Sequence, residues 1–445
     1  MTRLKTMEQS SFLKLVFALF TLAFLVAAVL MPDRCTMLEG FANIQRLTCK
    51  VSTNNFDNGG YAGAFFNAGV VCLIMTLLYC LPRVKANAVS FLAFVLTAGF
   101  TFWGINLVNV WFGFLGVLLY CAVKRVSPAA QINAMLFTTG LAPLISDLLL
   151  RYPNADAVGF RWAGLLLAAG VGLFIGFLLP FGLAHAPKMH KGFSLYNAAV
   201  GLGLLAFFLR AVLYKVPGVT VPGGATTDLK IASWTATNVF CFVLFGLCIV
   251  QALILGATPK RYWALLKDSG YGVDFAQKYG NATFLMNVGV YGLFIVLYYN
   301  LIGATFNAVT FGCIFCMLSC ACSGSHPRNV LPIMLGYVAA SFLMKWLSVD
   351  VLGTEYAQAI NAQAIVVGLC FANALSPIAG KYGFFAGIFV GAMHFLLVTS
   401  VPDLHGGFCL YNGGFTAAVI CILLVPELEC FCKTKAERKA LKAAR

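Results

Sequence analysis

The chain has 445 residues, of which 61% are hydrophobic and 10% are charged, and its mean hydropathy is +0.88. Soluble domains carry roughly 25% charged residues, so this composition excludes a water-soluble protein and predicts an all-α, polytopic protein in the lipid bilayer. The net charge of +15 does not indicate a nucleic-acid partner, because the basic residues fall in short loops and in the C-terminal tail. Basic residues in such places set the orientation of membrane helices.

The apolar stretches predict about fourteen transmembrane segments, at about 20 residues for each crossing. The first follows the basic start Met-Thr-Arg-Leu-Lys-Thr and is predicted to be a retained helix, because it is longer than a signal-peptide core and no small-x-small cleavage site follows it. In chain order the segments are 11–31, 62–82, 86–103, 105–123, 130–150, 159–182, 192–214, 232–256, 281–300, 303–323, 328–347, 356–378, 382–400 and 406–427.

Two of these segments, 130–150 and 356–378, contain Pro143 and Pro377 together with Gly or Ser near their middle. Irregular backbone at membrane depth is tolerated only inside the protein or beside a wet cavity, so both segments are predicted to be broken or re-entrant. Whether they span or re-enter stays open. If all fourteen segments span, most of the 30 Lys and Arg residues fall on one side, which predicts cytoplasmic N- and C-termini.

An internal repeat relates the two halves of the chain. The stretch Gly-Phe-Ser-Leu-Tyr-Asn at 192–197 recurs as Gly-Phe-Cys-Leu-Tyr-Asn at 407–412, and Leu-Ala-Pro at 141–143 recurs as Leu-Ser-Pro at 375–377. The halves are predicted as 1–225 and 226–435, followed by a basic tail at 436–445. With seven segments in each half, the second copy is predicted to be inverted, an arrangement in which transporters place their site at the interface of the repeats.

The pattern resembles an uncharacterised bacterial family of polytopic membrane proteins built from two tandem copies of a domain of unknown function. The resemblance rests on the two Gly-Phe-x-Leu-Tyr-Asn stretches, on Asn-Leu-Val-Asn-Val-Trp at 106–111, on Leu-Ala-Pro-Leu-Ile at 141–145 and on the glycine-rich stretch 58–69. It implies the fold and a bacterial plasma membrane, but no activity. Residues 411–414, Tyr-Asn-Gly-Gly, also resemble a stretch of urea transporters, whose duplicated Leu-Pro-x-x-Thr-x-Pro-Phe signature this chain lacks.

Asparagines at the starts of apolar segments are the first candidates for a substrate path. Such a residue caps a helix or offers a polar contact to a solute, although hydrogen bonding between helices is the structural alternative. The prolines of the broken segments free backbone carbonyls that can coordinate a cation or a solute N–H. The predicted path residues are Asn67, Asn197, Asn287, Asn412, Asn109, Asn329, Pro143, Ser376 and Pro377.

Two ionisable residues are further candidates for an ion or proton site. Asp147 lies near membrane depth and His394 lies in the middle of an apolar segment. The alternatives, an Asp at the end of a helix and a hydrogen-bonded structural His, are favoured for both. Cys313, Cys316 and Cys320 share a helical face, but the equivalent stretch of the first half has no Cys. No metal or cofactor is therefore predicted.

The favoured function is a transporter or channel for a small polar solute or ion, with facilitated diffusion or Na⁺ coupling, because few acids lie within the segments. An intramembrane enzyme acting on a lipid or isoprenoid is the alternative, with Asp403 and His405 or Asp350 and Glu355 as its reactive groups. A structural or assembly protein is the third reading. The sequence contains no nucleophile–base or phosphate-loop motif, so an enzyme is not favoured. Association into a homo-oligomer stays open, as does a Cys35–Cys49 disulfide.

Overall fold

The computed structural model describes residues 7–48, 53–154, 158–221, 230–356 and 358–444. Within these ranges every regular element is helical, apart from one isolated bridge between Ala232 and Asn307. The predicted all-α fold is therefore confirmed.

The first half contains nine helices separated by short turns. Two of the helices, α6 and α7, are joined by a 3₁₀ turn at Thr139–Leu141 and form one interrupted segment. The helices are α1 (Gln9–Leu30), α2 (Met37–Gln45), α3 (Asn55–Cys80), α4 (Ala88–Phe100), α5 (Trp111–Lys124), α6 (Ile132–Thr138), α7 (Ala142–Leu150), α8 (Trp162–Met189) and α9 (Asn197–Tyr214).

The second half follows the same order, with small additional helices in its loops. A 3₁₀ turn at Asn373–Leu375 joins α16 to α17, and α15 continues into a π-helical turn at Trp346–Val351. The helices are α10 (Trp234–Ile254), α11 (Pro259–Leu266), α12 (Phe275–Tyr279), α13 (Asn281–Leu301), α14 (Ala308–Leu318), α15 (Pro327–Lys345), α16 (Gln363–Ala372), α17 (Ser376–Tyr382), α18 (Phe384–Val398), α19 (Val401–Leu404), α20 (Asn412–Phe431) and α21 (Lys435–Ala443).

Each of the fourteen predicted segments contains an apolar helix, and the protein is a polytopic membrane protein. Within the described ranges, ten helical segments are long and apolar enough to cross a bilayer. The remaining four, which contain α4, α5, α14 and α18, have 10–17 residues. α5 begins at Trp111 rather than near residue 105 because residues 101–110 form two successive turns after α4.

The two halves pack in opposite orientations, as an inverted repeat requires. The equivalent helices α4 and α14 cross so closely that a Cβ on Gly99 would lie 2.5 Å from the carbonyl oxygen of Gly312. Leu96 lies one turn before Gly99 on α4, and Cys316 lies one turn after Gly312 on α14. The carbonyl oxygen of Leu96 is 3.8 Å from the Sγ of Cys316. The contact therefore runs antiparallel. Small residues such as glycine allow two helix backbones to approach closely.

A second antiparallel pair is formed by α9 and α20, which are also equivalent in the two halves. A Cβ on Gly203 would lie 2.2 Å from the ring of Phe415, and near the other end Lys191 forms a 2.5 Å ion pair with Glu429. Residues near the start of α9 therefore contact residues near the end of α20, which makes the two helices antiparallel. Both crossings lie at the interface of the halves, so this interface passes through the buried centre of the protein.

Candidate functional site

Asn67 and Asn287 hold the irregular backbone that follows α4 and α14. The amide of Asn67 donates to the carbonyls of Thr101 and Ile105, at 2.9 and 3.0 Å. The amide of Asn287 donates to the carbonyls of Ala321 and Ser325, at 2.8 and 3.0 Å, and both asparagines are fully buried. All partners are related by the same shift of 220 residues. The two predicted path residues thus pair with carbonyls that the ends of these helices leave free.

Asn109 and Asn329 close the loops that precede α5 and α15. The amide of Asn109 donates to the carbonyl of Gly104 at 3.0 Å, and the amide of Asn329 donates to the carbonyl of Gly324 at 2.8 Å. In the second half, the backbone N–H of His326 donates to the side-chain oxygen of Asn329 at 3.0 Å, which completes a capping box. Both asparagines therefore act on the starts of helices, as in capping motifs.

The predicted breaks in segments 130–150 and 356–378 are confirmed. A 3₁₀ turn interrupts each segment, and Pro143 and Pro377 lie in the first turn of the following helix, where a missing N–H costs no hydrogen bond. Both prolines and Ser376 are buried. The interrupted backbone therefore lies inside the protein, as its unpaired polar groups require at membrane depth.

The two repeated stretches reach across the interface to these breaks. The backbone N–H of Leu195, in the first half, donates to the carbonyl of Ala374 in the second half at 3.3 Å. The backbone N–H of Leu410 donates to the carbonyl of Gly140 at 2.8 Å. Each stretch thus binds a carbonyl in the 3₁₀ turn of the opposite half. Through this exchange, both interrupted segments belong to the repeat interface.

A histidine precedes each repeated stretch, and the sequence analysis missed its repetition. His190 and His405 lie seven residues before Asn197 and Asn412. The Nδ1 of His405 lies 2.5 Å from the Oδ1 of Asn412, whereas the Nδ1 of His190 accepts from the backbone N–H of Ser194 at 3.4 Å. Both rings are buried, and among the described residues neither Nε2 has a hydrogen-bond partner. Burial lowers the pKa of both imidazoles below the ordinary value of about 6.5. The two histidines lie two residues before the repeated stretches 192–197 and 407–412, so a comparison begun two residues earlier would have shown them as a repeated pair.

A polar cluster surrounds the break in the second half. The hydroxyl oxygen of Tyr196, from the first half, lies 2.8 Å from the carbonyl oxygen of Cys316 and 3.0 Å from the side-chain oxygen of Asn373, so its single proton is within reach of either acceptor. The side-chain oxygens of Ser325 and Ser376 lie 3.1 Å apart. We call Tyr196, Ser319, Ser325, Asn373 and Ser376 the polar cluster, and all five are buried.

The equivalent place in the first half is mainly apolar. Ser319, Ser325 and Ser376 correspond to Gly99, Ile105 and Ala142, by the shifts that relate the asparagines and the prolines. Tyr411, the counterpart of Tyr196, packs against aromatic rings, and its hydroxyl has no hydrogen-bond partner in the part of the chain that the structure describes. The fold is therefore duplicated, but the three serine positions of the polar cluster are occupied by Gly or apolar residues in the first half.

The two ionisable candidates both have hydrogen-bond partners. The carboxylate of Asp147 is buried, forms a two-point ion pair with Arg151 and accepts from the hydroxyl of Tyr214 at 2.5 Å. The Nδ1 of His394 lies 2.5 Å from the hydroxyl of Tyr337, and its Nε2 lies 2.8 Å from the carbonyl of Gly413. Both arrangements agree with the structural alternatives that the sequence favoured. The ion or proton site stays a prediction.

The acids considered for an enzyme lie at exposed positions. Asp403, Asp350 and Glu355 are exposed, and the Nδ1 of His405 bonds to an asparagine rather than to a carboxylate. In the part of the chain that the structure describes, no group of three or more His, Cys, Asp or Glu residues is placed to hold a metal ion. Cys35 is exposed, and Cys49 lies outside the described residues.

Comparison with known proteins identifies a family and no activity. No curated protein matches the chain, and no solved structure matches it. The family described as "Protein of unknown function (DUF1576)" matches twice, at residues 34–215 and 257–430, which is about four fifths of the chain. α1 and α10 precede the two matches. The repeat predicted from the sequence is thereby confirmed, and the chain belongs to the DUF1576 family as a tandem pair of its domain.

Proposed function

We propose that this protein is a transporter or channel that moves a small polar solute or ion across a bacterial plasma membrane. The observation that carries the proposal is the exchange at the interface, where Leu195 and Leu410 each bind the interrupted segment of the opposite half. Paired broken helices at the interface of inverted repeats are a common plan for transport sites. A change in the packing of the halves would act directly on both breaks.

The chemistry of the polar cluster indicates the kind of substrate. Its members offer hydroxyl, amide and backbone carbonyl groups, and none of them carries a charge. Such groups suit a neutral solute that donates and accepts hydrogen bonds, or a Na⁺ ion bound by oxygen atoms. Asp147, one of the few acids near membrane depth by sequence, is paired with Arg151, which argues against proton coupling through a free carboxylate there.

Flux measurements on purified protein in liposomes test the proposal. Entry of urea, glycerol and Na⁺ is compared with that of protein-free liposomes. Tyr196→Phe removes the hydroxyl that joins the halves at the polar cluster and should slow the flux roughly fivefold or more, since a neutral hydrogen bond contributes about 1 kcal/mol. Tyr411→Phe is the matched control, because the hydroxyl lost from the equivalent position has no hydrogen-bond partner.

The possible outcomes distinguish whether the protein transports a solute at all from whether the solute passes the polar cluster. If none of the probes or a broader set of small solutes crosses faster than in empty liposomes, the proposal fails. If the two Tyr→Phe variants lose flux equally, the path does not pass the polar cluster.

The predicted path residues Asn197 and Asn412 provide a second test. Asn197→Ala and Asn412→Ala should abolish flux while the amount of protein in the membrane stays within about twofold, because the loss of one side-chain hydrogen bond costs only about 1 kcal/mol of stability. Loss of folded protein in both variants would instead assign these residues to packing.

A further inference from the structure

A cavity of about 380 Å³ lies where α15 and α18 begin and where the tail helix α21 docks. Its size is at the lower end of the range for small-molecule sites, about 300–1,000 Å³. The charged residues of its lining are Lys267, Arg328, Lys435 and Asp268. We call it the basic cavity.

The positive charges of the basic cavity are not balanced by its single acid. The carboxylate of Asp268 accepts from the Nζ of Lys278 at 2.6 Å, from the hydroxyl of Tyr279 at 2.7 Å and from the backbone N–H of Gly270 at 2.9 Å. Within the described ranges, Lys267, Arg328 and Lys435 form no salt bridge. The cavity therefore keeps a surplus of positive charge.

Neighbouring groups show the effect of this surplus. Burial lowers the pKa of Lys435 below its ordinary value, and the positive charges of Arg328 and Arg438 lower it further. The pKa of His326, a buried residue in the lining, is lowered to about 4, chiefly by burial and in part by Arg328 and Lys435. An anion in the cavity would relieve this repulsion.

The backbone adds to the same preference. The starts of two helices, α15 with 19 residues and α18 with 15, border the cavity through Arg328 and Phe384. The His326 side chain caps the first turn of α15, whereas among the described residues no side chain caps that of α18, so the N–H groups of α18 remain available to a ligand. Anions are stabilised at such positions by the N–H groups and the helix dipole.

The cavity belongs to one half of the repeat only. The position equivalent to Arg328 in the first half is Val108, and the tail that supplies Lys435 follows the second half alone. Lys435 also donates to the carbonyl of Ala379 at 3.1 Å, at the end of the interrupted segment α16–α17. A ligand that contacts Lys435 would therefore act on the interrupted segment α16–α17, on which the proposed function rests.

We propose that the basic cavity binds a phosphate group, supplied either by the headgroup of an anionic lipid or by a soluble phosphate compound. Three cationic side chains, two of them in the first turns of helices, suit the charge and the acceptor oxygens of this group. The tendency of Lys and Arg to stay on the cytoplasmic side of a membrane would by itself explain basic residues in these loops. It would not explain why they line one cavity.

Thermal stabilisation and direct binding of delipidated full-length protein in a neutral detergent test the proposal, at constant ionic strength because surface charges are screened by salt. The probes are phosphatidylglycerol, a diacylglycerol with the same chains, inorganic phosphate and glycerol phosphate. Arg328→Gln and Lys267→Gln should each weaken phosphate binding about tenfold or more, as expected for a lost hydrogen bond to a charged group. Lys442→Gln, which removes the same charge from the exposed tail outside the cavity, should change it less than about twofold.

Binding of phosphatidylglycerol alone assigns the site to a lipid headgroup, and binding of glycerol phosphate or inorganic phosphate assigns it to a soluble compound. The proposal is overturned if no phosphate probe binds, if diacylglycerol binds as well as phosphatidylglycerol, or if all three Lys or Arg variants weaken binding equally. The experiment measures binding rather than flux, so failure of this proposal can be distinguished from failure of the proposed transport.

Discussion

Asn287→Ala tests whether the asparagines at the helix ends hold the fold or serve the path. The substitution leaves two buried carbonyls, those of Ala321 and Ser325, without the amide that now lies 2.8 and 3.0 Å away. An unpaired buried group costs about 1–3 kcal/mol, whereas side-chain hydrogen bonds within membranes average about 0.6 kcal/mol. For two carbonyls these values bracket about 1–6 kcal/mol, and we expect roughly 2–4 kcal/mol because the site is fully buried.

The assay is thermal unfolding in detergent, followed by the fraction of protein that stays monodisperse after heating. Asn287→Ala and its repeat equivalent Asn67→Ala should both lower the midpoint by several degrees, since they lose the same two bonds. Asn361→Ala is the control, because Asn361 is exposed and its single bond to Gly303 is long, at 3.4 Å. If Asn287→Ala unfolds at the same temperature as the control but loses flux, the structural reading is wrong and the residue belongs to the path.

Two further predictions concern the arrangement of the halves. Gly99→Ala should prevent the close crossing at Gly312 and lower the folded yield, because the new Cβ would lie 2.5 Å from a backbone oxygen that cannot move aside. Gly170→Ala is the control: no atom lies within 4 Å of its new Cβ, so it should be neutral or stabilise the helix by up to about 1 kcal/mol. Equal yields of the two variants would contradict this prediction. A membrane-impermeant maleimide should label the exposed Cys35 in intact cells but reach the exposed Cys430 only after permeabilisation. Labelling of both from the same side would refute the inverted repeat.

The unequal chemistry of the two halves is relevant to the mechanism. Inverted repeats make the inward- and outward-facing states similar in backbone structure, since exchanging the conformations of the halves converts one state into the other. The polar cluster lies on one side of this symmetry only, around Asn373 and Ser376. One substrate position with two alternate exits is therefore the arrangement that agrees with the proposed transport.

The sequence by itself determined the solvent, the class of fold and the repeat. The shortage of charge requires lipid, and in lipid the backbone must satisfy its own hydrogen bonds, so apolar stretches become helices. The breaks were predictable for the same local reason, because Pro143 and Pro377 each lack an N–H within an apolar segment. The candidate asparagines were predictable as polar residues at the starts of segments.

Only the tertiary structure decided what those residues contact. Asn67 pairs with carbonyls 34 and 38 residues away, and the hydroxyl of Tyr196 with an oxygen of Asn373, 177 residues away. No local pattern specifies such partners, because they depend on how separate helices cross and on where glycines permit close approach. For the same reason Asp147 and His394 read as isolated polar groups in the sequence, and the packing of other helices places Tyr214 beside Asp147 and Tyr337 beside His394.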